Sequence, residues 1–216
     1  MSLDTTAAPH PNFQSRGLAP SLPSSEIVTR MNDTSALEHV ATAREQLFHR
    51  FASLGIEAPT VPYPAHSSID EGKRLRGQMA GTFTKNLLLR DKKGRLFLFA
   101  IHEDRELELK TLHAIVGATG RLGFASGERM IEVLGVAPGA LTPLGVINDR
   151  DGLVTVVVDA VLLGSKQVNF HPLINTESTG LSPDELLSFI RSCGREPMVV
   201  DLGPSPSSLD GFMPDI

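Results

Sequence analysis

Two short segments of the chain carry side chains that could bind an anion and move protons. Residues 81–86 read Gly-Thr-Phe-Thr-Lys-Asn and end in Lys85 and Asn86. A lysine ammonium is a compact cation on a flexible stem, so Lys85 could hold a phosphate or polarise a nearby group. Residues 169–172 read Asn-Phe-His-Pro, and the imidazole of His171 could donate or accept a proton near neutral pH.

A third segment, residues 135–145, is rich in glycine and proline and reads Gly-Val-Ala-Pro-Gly-Ala-Leu-Thr-Pro-Leu-Gly. Its prolines lack N–H donors and its glycines permit unusual dihedral angles, so we expect an irregular loop here. Such a loop could aim backbone N–H groups at a carbonyl on which negative charge develops. The lack of a Cβ at Gly139 would let a substrate come close to those N–H groups.

Each of these features also has a purely structural interpretation. A lysine that precedes a strand is usually a surface charge, and a lone histidine usually makes a structural hydrogen bond. The Gly-x-x-x-Pro pattern from Gly139 to Pro143 is usually a turn. The chain contains neither a Ser-His-Asp order nor a Gly-x-Ser-x-Gly motif, so the sequence indicates no covalent nucleophile.

Apolar periodicity and turn residues predict the elements that position these segments. Two β-prone runs, 86–90 and 95–101, flank an Asp-Lys-Lys-Gly turn and predict a hairpin with Lys85 at the mouth of its first strand. The other predicted elements are helices at 35–54, 108–116, 126–134 and 182–194 and strands at 60–63, 153–163 and 198–201. This order lacks strict βαβ alternation, which indicates a single α/β domain with a mixed β-sheet flanked by helices.

Composition sets limits on domains, location and cofactors. The chain of 216 residues is 41% hydrophobic, which fits one globular domain at 31–202 between a flexible leader (1–30) and a C-terminal tail (203–216). No apolar run predicts a membrane span or a signal peptide, so we expect a cytoplasmic protein. A single cysteine and seven histidines without a tight ligand pair predict no metal site, and we expect no cofactor.

Charge bears on possible nucleic-acid partners. A formal net charge of -5 argues against indiscriminate coating of nucleic acid. One basic cluster is nevertheless present, opposed only by Asp91: Lys73, Arg74, Arg76, Lys85, Arg90, Lys92, Lys93 and Arg95. This cluster is either an ordinary solvated hairpin face or a contact for a polyanion.

Taken together, the three segments resemble the active site of the YbaK/prolyl-tRNA synthetase editing-domain family, and the resemblance extends over residues 35–202. It implies a free-standing aminoacyl-tRNA deacylase that acts on mischarged tRNA for proline, with the alanine-charged form as the expected substrate. It also implies that Lys85 contacts the terminal adenosine, the Gly139 loop holds the ester carbonyl and His171 lines the aminoacyl pocket. The further substrate-binding residues that it implies are Asn86, Thr142, Pro143 and Asn169.

The chain departs from the family pattern at one segment that shapes the pocket. Relatives carry a His-Pro-Pro-Val-Phe-Thr-like sequence where this chain reads His-Ser-Ser-Ile-Asp-Glu, so that only His66 and the apolar Ile69 are retained as pocket-lining candidates. The amino acid removed could therefore be alanine, cysteine, or serine or threonine. A non-catalytic module that binds tRNA or a prolyl-tRNA synthetase, and a domain that binds another small molecule, are the remaining alternatives.

Overall fold

The computed structural model of the chain describes residues 34–66, 68–77 and 79–203. The predicted leader and all but the first residue of the predicted tail lie outside these ranges. The helices described are α1 Thr34–Ser53, α2 Ile69–Leu75, α3 Leu109–Ile115, α4 Gly127–Leu134 and α5 Pro183–Ser192. The strands described are β1 Thr60–Pro62, β2 Thr82–Arg90, β3 Leu96–His102, β4 Gly123–Phe124, β5 Val154–Asp159, β6 Val168–Phe170, β7 Glu177–Leu181 and β8 Met198–Val200.

The strands form one mixed sheet in the order β1-β7-β6-β2-β3-β5-β8, with β4 paired to β2 beside this path. Strands β2 and β3 are the predicted antiparallel hairpin, whereas β2 pairs with β6, and β3 with β5, in parallel. Proline is tolerated at a sheet edge because no partner strand needs its N–H, and β1 with Pro62 is an edge strand as predicted. The mixed α/β fold is confirmed.

Strand β3 is buried on both faces and divides the core in two. Successive side chains of a strand point to opposite faces. Accordingly Leu96, Leu98 and Ala100 belong to one apolar cluster and Phe97, Phe99 and Ile101 to another. Helices α1 and α5 cover the first cluster, and α3 covers the second, so helices flank both faces of the sheet.

Capping residues explain where the helices begin and end. The Ser182 side chain accepts a hydrogen bond from the Glu185 amide at 3.3 Å while the Glu185 carboxylate accepts from the Ser182 amide at 2.7 Å, which is a complete capping box. Ser126 caps α4, and Gly135 ends it with a φ of 63°. These predicted boundaries are confirmed.

Three boundaries differ from the sequence predictions. Strand β2 begins at Thr82, so Lys85 lies within the strand and not at its mouth. The segment predicted to be irregular throughout ends in a 3₁₀ helix, Pro143–Asn148, because proline is acceptable at a first helical position, where its missing N–H is not needed. The β-prone run at 153–163 leaves the sheet after Asp159, whose side chain caps a second 3₁₀ helix, Ala160–Gly164.

The β2–β3 turn is organised by Asp91. Its carboxylate accepts hydrogen bonds from the amides of Lys93, Arg95 and Thr119 at 2.8 to 3.0 Å. Burial alone would raise the pKa of Asp91, but these bonds and the Arg95 guanidinium together lower it to about 2. The turn therefore has a defined shape, and it holds the exposed side chains of Lys92 and Lys93 at the end of the hairpin.

No described helix combines the length and the apolar character that crossing a bilayer requires.

Candidate active site

A small, solvent-open cleft lies where β2, β6 and the segment before α2 meet. Parallel pairing of β2 with β6 sets Phe83 opposite Asn169, and this pairing brings the first and third sequence segments together. The residues that line the cleft are Tyr63, His66, Ile69, Gly72, Phe83, Thr84, Asn86, Glu103, Asn169, Phe170, His171 and Ser178. Five of the nine residues singled out from the sequence are in this set: His66, Ile69, Asn86, Asn169 and His171.

His171 presents one ring nitrogen that can accept a proton. Its Nδ1 lies 2.9 Å from the carbonyl oxygen of Glu177. A carbonyl only accepts, so Nδ1 carries the hydrogen and Nε2 of the neutral ring is left as an acceptor. Burial lowers the pKa of His171 below its usual 6.5, with His66 acting in the same direction and the Glu177 carbonyl opposing both. The neutral form is therefore favoured near pH 7.

The loop that carries His171 is clamped by helix α1. The Arg44 guanidinium donates through Nε to the carbonyl oxygen of Pro172 at 3.3 Å and forms an ion pair with the Glu177 carboxylate. Between these two contacts Leu173 adopts a φ of 69°, which a residue with a Cβ rarely adopts. Arg44 thus restrains both the loop that carries His171 and the first residue of β7, Glu177, whose carbonyl orients the His171 ring.

Two more rings lie beside His171. The ring centroids of Tyr63 and His66 are 4.8 Å apart, and each centroid lies 5.9 Å from that of His171. Gly72 of α2 packs against the polar ends of both rings, since a Cβ at this position would come within 2.8 Å of Tyr63 Oη and His66 Nε2. Burial raises the pKa of Tyr63, so its phenol stays protonated at neutral pH. Because Gly72 has no side chain, helix α2 can pack directly against the Tyr63 and His66 rings that line this side of the cleft.

Asn86 joins the cleft to the glycine-rich loop. Its Nδ2 donates to the carbonyl oxygen of Leu141 at 2.9 Å, which ties β2 to the segment that contains Gly139. Its Oδ1 is buried and has no hydrogen-bond partner among the described residues. Buried polar atoms of native proteins are rarely unpaired, so an unpaired acceptor in a cleft is a natural contact for a ligand donor.

Gly139, Thr142 and Pro143 do not line the cleft in this structure. Gly139 is exposed with a φ of 91°, and a Cβ there would lie 3.6 Å from Asn175 Nδ2. Thr142 is fully buried, and its hydroxyl accepts from the Leu144 amide at 3.3 Å to cap the 3₁₀ helix that Pro143 begins. The contacts of Thr142 and Pro143 are thus internal to the protein, and a role in substrate binding stays a prediction for all three residues.

Asn169 lines the cleft, yet its amide is engaged within the protein. Nδ2 donates to the Ala80 carbonyl oxygen at 2.8 Å, and Oδ1 accepts from Gln167 Nε2 at 3.0 Å. A Cβ at Gly81, whose φ is 95°, would come within 2.7 Å of the Asn169 amide nitrogen. Asn169 therefore fixes the start of β2, and substrate binding by its amide stays a prediction.

Lys85 lies between two cleft-lining residues of β2, Thr84 and Asn86, but does not itself line the cleft. Its side chain lies on the opposite face of β2 from Thr84 and Asn86, because neighbouring side chains of a strand alternate, whereas Phe83 on the same face as Lys85 does reach the cleft. The side chain is half-buried, and it forms no hydrogen bond or ion pair with any described residue. Burial lowers the pKa of Lys85, against the opposing effect of the nearby carboxylates. An unpaired, partly desolvated cation is costly unless a ligand uses it.

Several cleft residues could not be identified from the sequence. Tyr63 was assigned only to an edge strand, and Glu103 follows β3 without any motif around it. The Glu103 carboxylate accepts from Arg76 at 2.7 Å, and the Arg76 guanidinium lies 4.1 Å from the Phe83 ring centroid. Only the folded chain brings these residues together, although the sequence does carry one signal, because Tyr63 is its single tyrosine and is flanked by prolines.

Comparison with known proteins identifies the family of the chain. The sequence model of the aminoacyl-tRNA editing domain matches residues 64–189, which include all nine predicted site residues. The prolyl-tRNA synthetase associated domain-containing protein 1 of Mus musculus is 35% identical over 162 residues, which cover 73% of this chain and 95% of that protein. The prolyl-tRNA editing protein ProX of Acetoanaerobium sticklandii is 31% identical over 74% of this chain and 98% of its own length.

Solved structures share the fold. The hypothetical protein APE2540 superposes with a TM-score of 0.59 at 19% identity, over 72% of this chain and 97% of that one. A candidate trans-editing enzyme for prolyl tRNA synthetase gives a TM-score of 0.58 at 23% identity, over 76% and 98% of the two chains. Because the editing-domain model spans more than half of the sequence and whole-length relatives exceed 30% identity, this chain belongs to the aminoacyl-tRNA editing domain family.

Proposed function

We propose that the protein is a trans-editing deacylase that hydrolyses the ester bond of mischarged tRNA for proline, with Ala-tRNA(Pro) as the preferred substrate. The observation that carries the proposal is that this chain, which belongs to the editing-domain family, has a cleft in which neither His171 Nε2 nor Asn86 Oδ1 has a hydrogen-bond partner among the described residues. The names of two relatives, a prolyl-tRNA editing protein and a prolyl-tRNA synthetase associated domain-containing protein, support the choice of tRNA.

In the proposed reaction a water molecule adds to the ester carbonyl carbon, and the bond to the terminal ribose oxygen then breaks. The water's proton passes to that oxygen, which releases the free amino acid and intact tRNA. His171 Nε2 orients the aminoacyl group or the water, and it can accept a proton because burial keeps the ring neutral. An aminoacyl ester is already reactive, so alignment of water and carbonyl supplies much of the rate.

Lys85 and the glycine-rich loop have complementary roles in this proposal. Lys85 anchors the terminal nucleotide of the tRNA, since it is half-buried and without an ion-pair partner among the described residues. The Gly139 loop, held to β2 through Asn86 and Leu141, offers backbone N–H groups to the carbonyl oxygen as negative charge grows on it. Thr142 supports that loop from within by capping the helix that follows it.

Lys85 contacts only the terminal nucleotide in this proposal, so binding the rest of the tRNA needs another basic surface. The end of the β2–β3 hairpin provides one. Among the basic residues clustered in the sequence, Lys73 and Arg76 form ion pairs with Asp104 and Glu103, which reduces the net charge near the cleft. Arg90, Lys92 and Lys93 are exposed at the β2–β3 turn, as is Arg95, whose guanidinium forms an ion pair with Asp91. We propose that they contact the phosphate backbone of the tRNA, which would make binding weaken steeply with salt. A prolyl-tRNA synthetase is the proposed protein partner.

The decisive experiment measures release of amino acid from charged tRNAs by the wild-type protein. The substrates are Ala-tRNA(Pro), Pro-tRNA(Pro), Ala-tRNA(Ala), Cys-tRNA(Pro) and serine-charged tRNA. Hydrolysis of Ala-tRNA(Pro) alone would support the proposal in full, whereas hydrolysis of a different pair would keep the reaction and change the substrate. If every ester survives while tRNA or synthetase still binds, the protein is a non-catalytic binding module.

Replacing His171 with glutamine should lower kcat/KM for Ala-tRNA(Pro) about 10-fold and change its pH dependence. The neutral imidazole is present above the pKa of His171 and is lost as the pH falls through it. Because that pKa is lowered from 6.5, wild-type activity should hold at pH 6.5 and decline only at lower pH. Glutamine has no such titration, so the variant should lack this decline.

The pH–rate profile of ester hydrolysis from about pH 5 to 8 checks this expectation. His49→Gln is the matched control, because His49 is an exposed histidine of α1 and lies outside the cleft. A His171 variant with the same acid decline as the wild type would show that another group titrates.

A further inference from the structure

We infer that Glu103 is the group that binds the α-ammonium of the aminoacyl moiety, and that it selects substrates with a free amino group. This inference rests on the proposed function, because it assigns one part of that substrate to one residue of the cleft. The assignment follows from three observations: the fixed position of the carboxylate, its unused oxygen and the absence of other negative charge among the residues that line the cleft.

The position of Glu103 is fixed at several points. Its backbone amide donates to the Phe83 carbonyl oxygen at 3.0 Å, which continues the β2–β3 pairing by one residue. Its Oε1 accepts from Arg76 at 2.7 Å, and the Arg76 guanidinium in turn lies over the Phe83 ring. With its side chain only 10% exposed, the carboxylate is held at the cleft wall and does not move freely in solvent.

One carboxylate oxygen is used in this arrangement and the other is not. Glu103 Oε2 has no hydrogen-bond partner among the described residues, while an ionised carboxylate can accept about four hydrogen bonds. An ammonium group offers three donors and a positive charge. A bond from it to Oε2 would be charge-assisted, and partial burial would strengthen it relative to bulk water.

The charges around the cleft make an ammonium the best fit. Glu103 is the only carboxylate among the residues that line it, none of these residues is a lysine or an arginine, and Arg76, which pairs with Glu103 Oε1, does not line the cleft. Burial keeps the Tyr63 phenol protonated and favours the neutral form of His171, so neither adds a competing charge at neutral pH. An aminoacyl ester is a small substrate with one ammonium close to its carbonyl, which matches one carboxylate in a small cleft.

The test compares two esters on the same tRNA that differ in one group. Alanyl-tRNA(Pro) carries the ammonium, whereas lactyl-tRNA(Pro), prepared by deamination of the alanyl form, carries a hydroxyl of similar size at the same carbon. We measure kcat/KM for both esters with wild-type protein and with Glu103→Gln. For each protein we take the ratio of kcat/KM for the alanyl ester to kcat/KM for the lactyl ester. Dividing the wild-type ratio by the variant ratio cancels the different intrinsic reactivities of the two esters.

The expected result is a ratio of ratios of about 10 or more, because truncating one member of a close charge pair loses at least that factor. Glu103→Asp should keep most of the preference for the alanyl ester, which protects the test against a folding defect in the glutamine variant. Glu106→Gln is the matched control: Glu106 is an exposed carboxylate three residues away and outside the cleft, and its loss should leave the preference unchanged.

Other outcomes overturn the inference in distinguishable ways. An equal fall for both esters in Glu103→Gln would mean that Glu103 only positions Arg76, and Arg76→Gln should then give the same pattern. A wild-type protein that cleaves both esters equally would overturn the inference and leave the deacylase proposal standing. A wild-type protein that cleaves neither would overturn both.

Discussion

Replacing Lys85 with alanine is expected to lower kcat/KM for hydrolysis of Ala-tRNA(Pro) by about 100-fold or more, because removing one preorganised electrostatic contact commonly costs a factor of 100 to 1,000. The protein should nevertheless remain folded. Lys85 makes no hydrogen bond or ion pair with the described residues, so alanine leaves no buried partner unsatisfied. Removing a half-buried ammonium also removes a desolvation cost that the nearby carboxylates offset only in part.

Two further variants complete this test: one separates the charge of Lys85 from its geometry, and the other is a control at a different lysine. Lys85→Arg keeps the charge but replaces a compact ammonium with a planar, longer group, so it should recover only part of the activity. Lys110→Ala removes an exposed lysine from α3 and should behave as the wild type. Steady-state deacylation rates and melting temperatures of the three variants check these expectations. A Lys85→Ala protein with wild-type rates would remove Lys85 from the site.

The second large effect concerns stability. Arg105→Met is expected to lower the free energy of unfolding by about 3 kcal/mol or more, because it leaves a buried carboxylate without its charged partner. Arg105 Nε lies 2.5 Å from Asp159 Oδ2, and the two side chains are 3% and 0% exposed. Asp159 also caps the 3₁₀ helix after β5, and Arg105 reaches the Gly203 carbonyl oxygen at 3.1 Å, so this pair joins three segments.

Urea unfolding followed by circular dichroism measures the effect. Arg191→Ala is the matched control, because its ion pair with Glu196 is exposed on both sides and should contribute less than about 1 kcal/mol. Combining Arg105→Met with Asp159→Asn should recover part of the lost stability, since asparagine carries no charge but can still accept a hydrogen bond. If Arg105→Met is no less stable than Arg191→Ala, the buried pair does not stabilise the fold.

Local signals in the sequence were sufficient for much of the fold. The capping box at Ser182, the cap at Ser126 and the end of α4 at Gly135 each depend on a few neighbouring residues, and all three were predicted correctly. The start of β2 was missed because parallel pairing with β6 extends the strand to Thr82, and that partner lies more than 80 residues away. Long-range pairing of this kind leaves no mark on local periodicity.

The residues of the candidate site could likewise be identified from the sequence only in part. His66, Ile69, Asn86, Asn169 and His171 were identified from motifs and all line one cleft. Lys85 adjoins the cleft, whereas Thr142 and Pro143 have their contacts inside the protein. Glu103 and Tyr63 were not identified, since a lone glutamate after a strand and a tyrosine between prolines have ordinary structural explanations.

By itself, the sequence determined the α/β class, the helix caps, the β2–β3 hairpin and the resemblance to editing domains, because these depend on residue types at short and fixed spacing. The tertiary structure decided which nitrogen of His171 is left as an acceptor, which oxygen of Glu103 has no partner among the described residues and which residues of β2 reach the cleft. Each of these depends on a partner from a distant segment, and on how far burial removes a group from water. Neither the distant partner nor the extent of burial can be predicted from the spacing of residues along the chain.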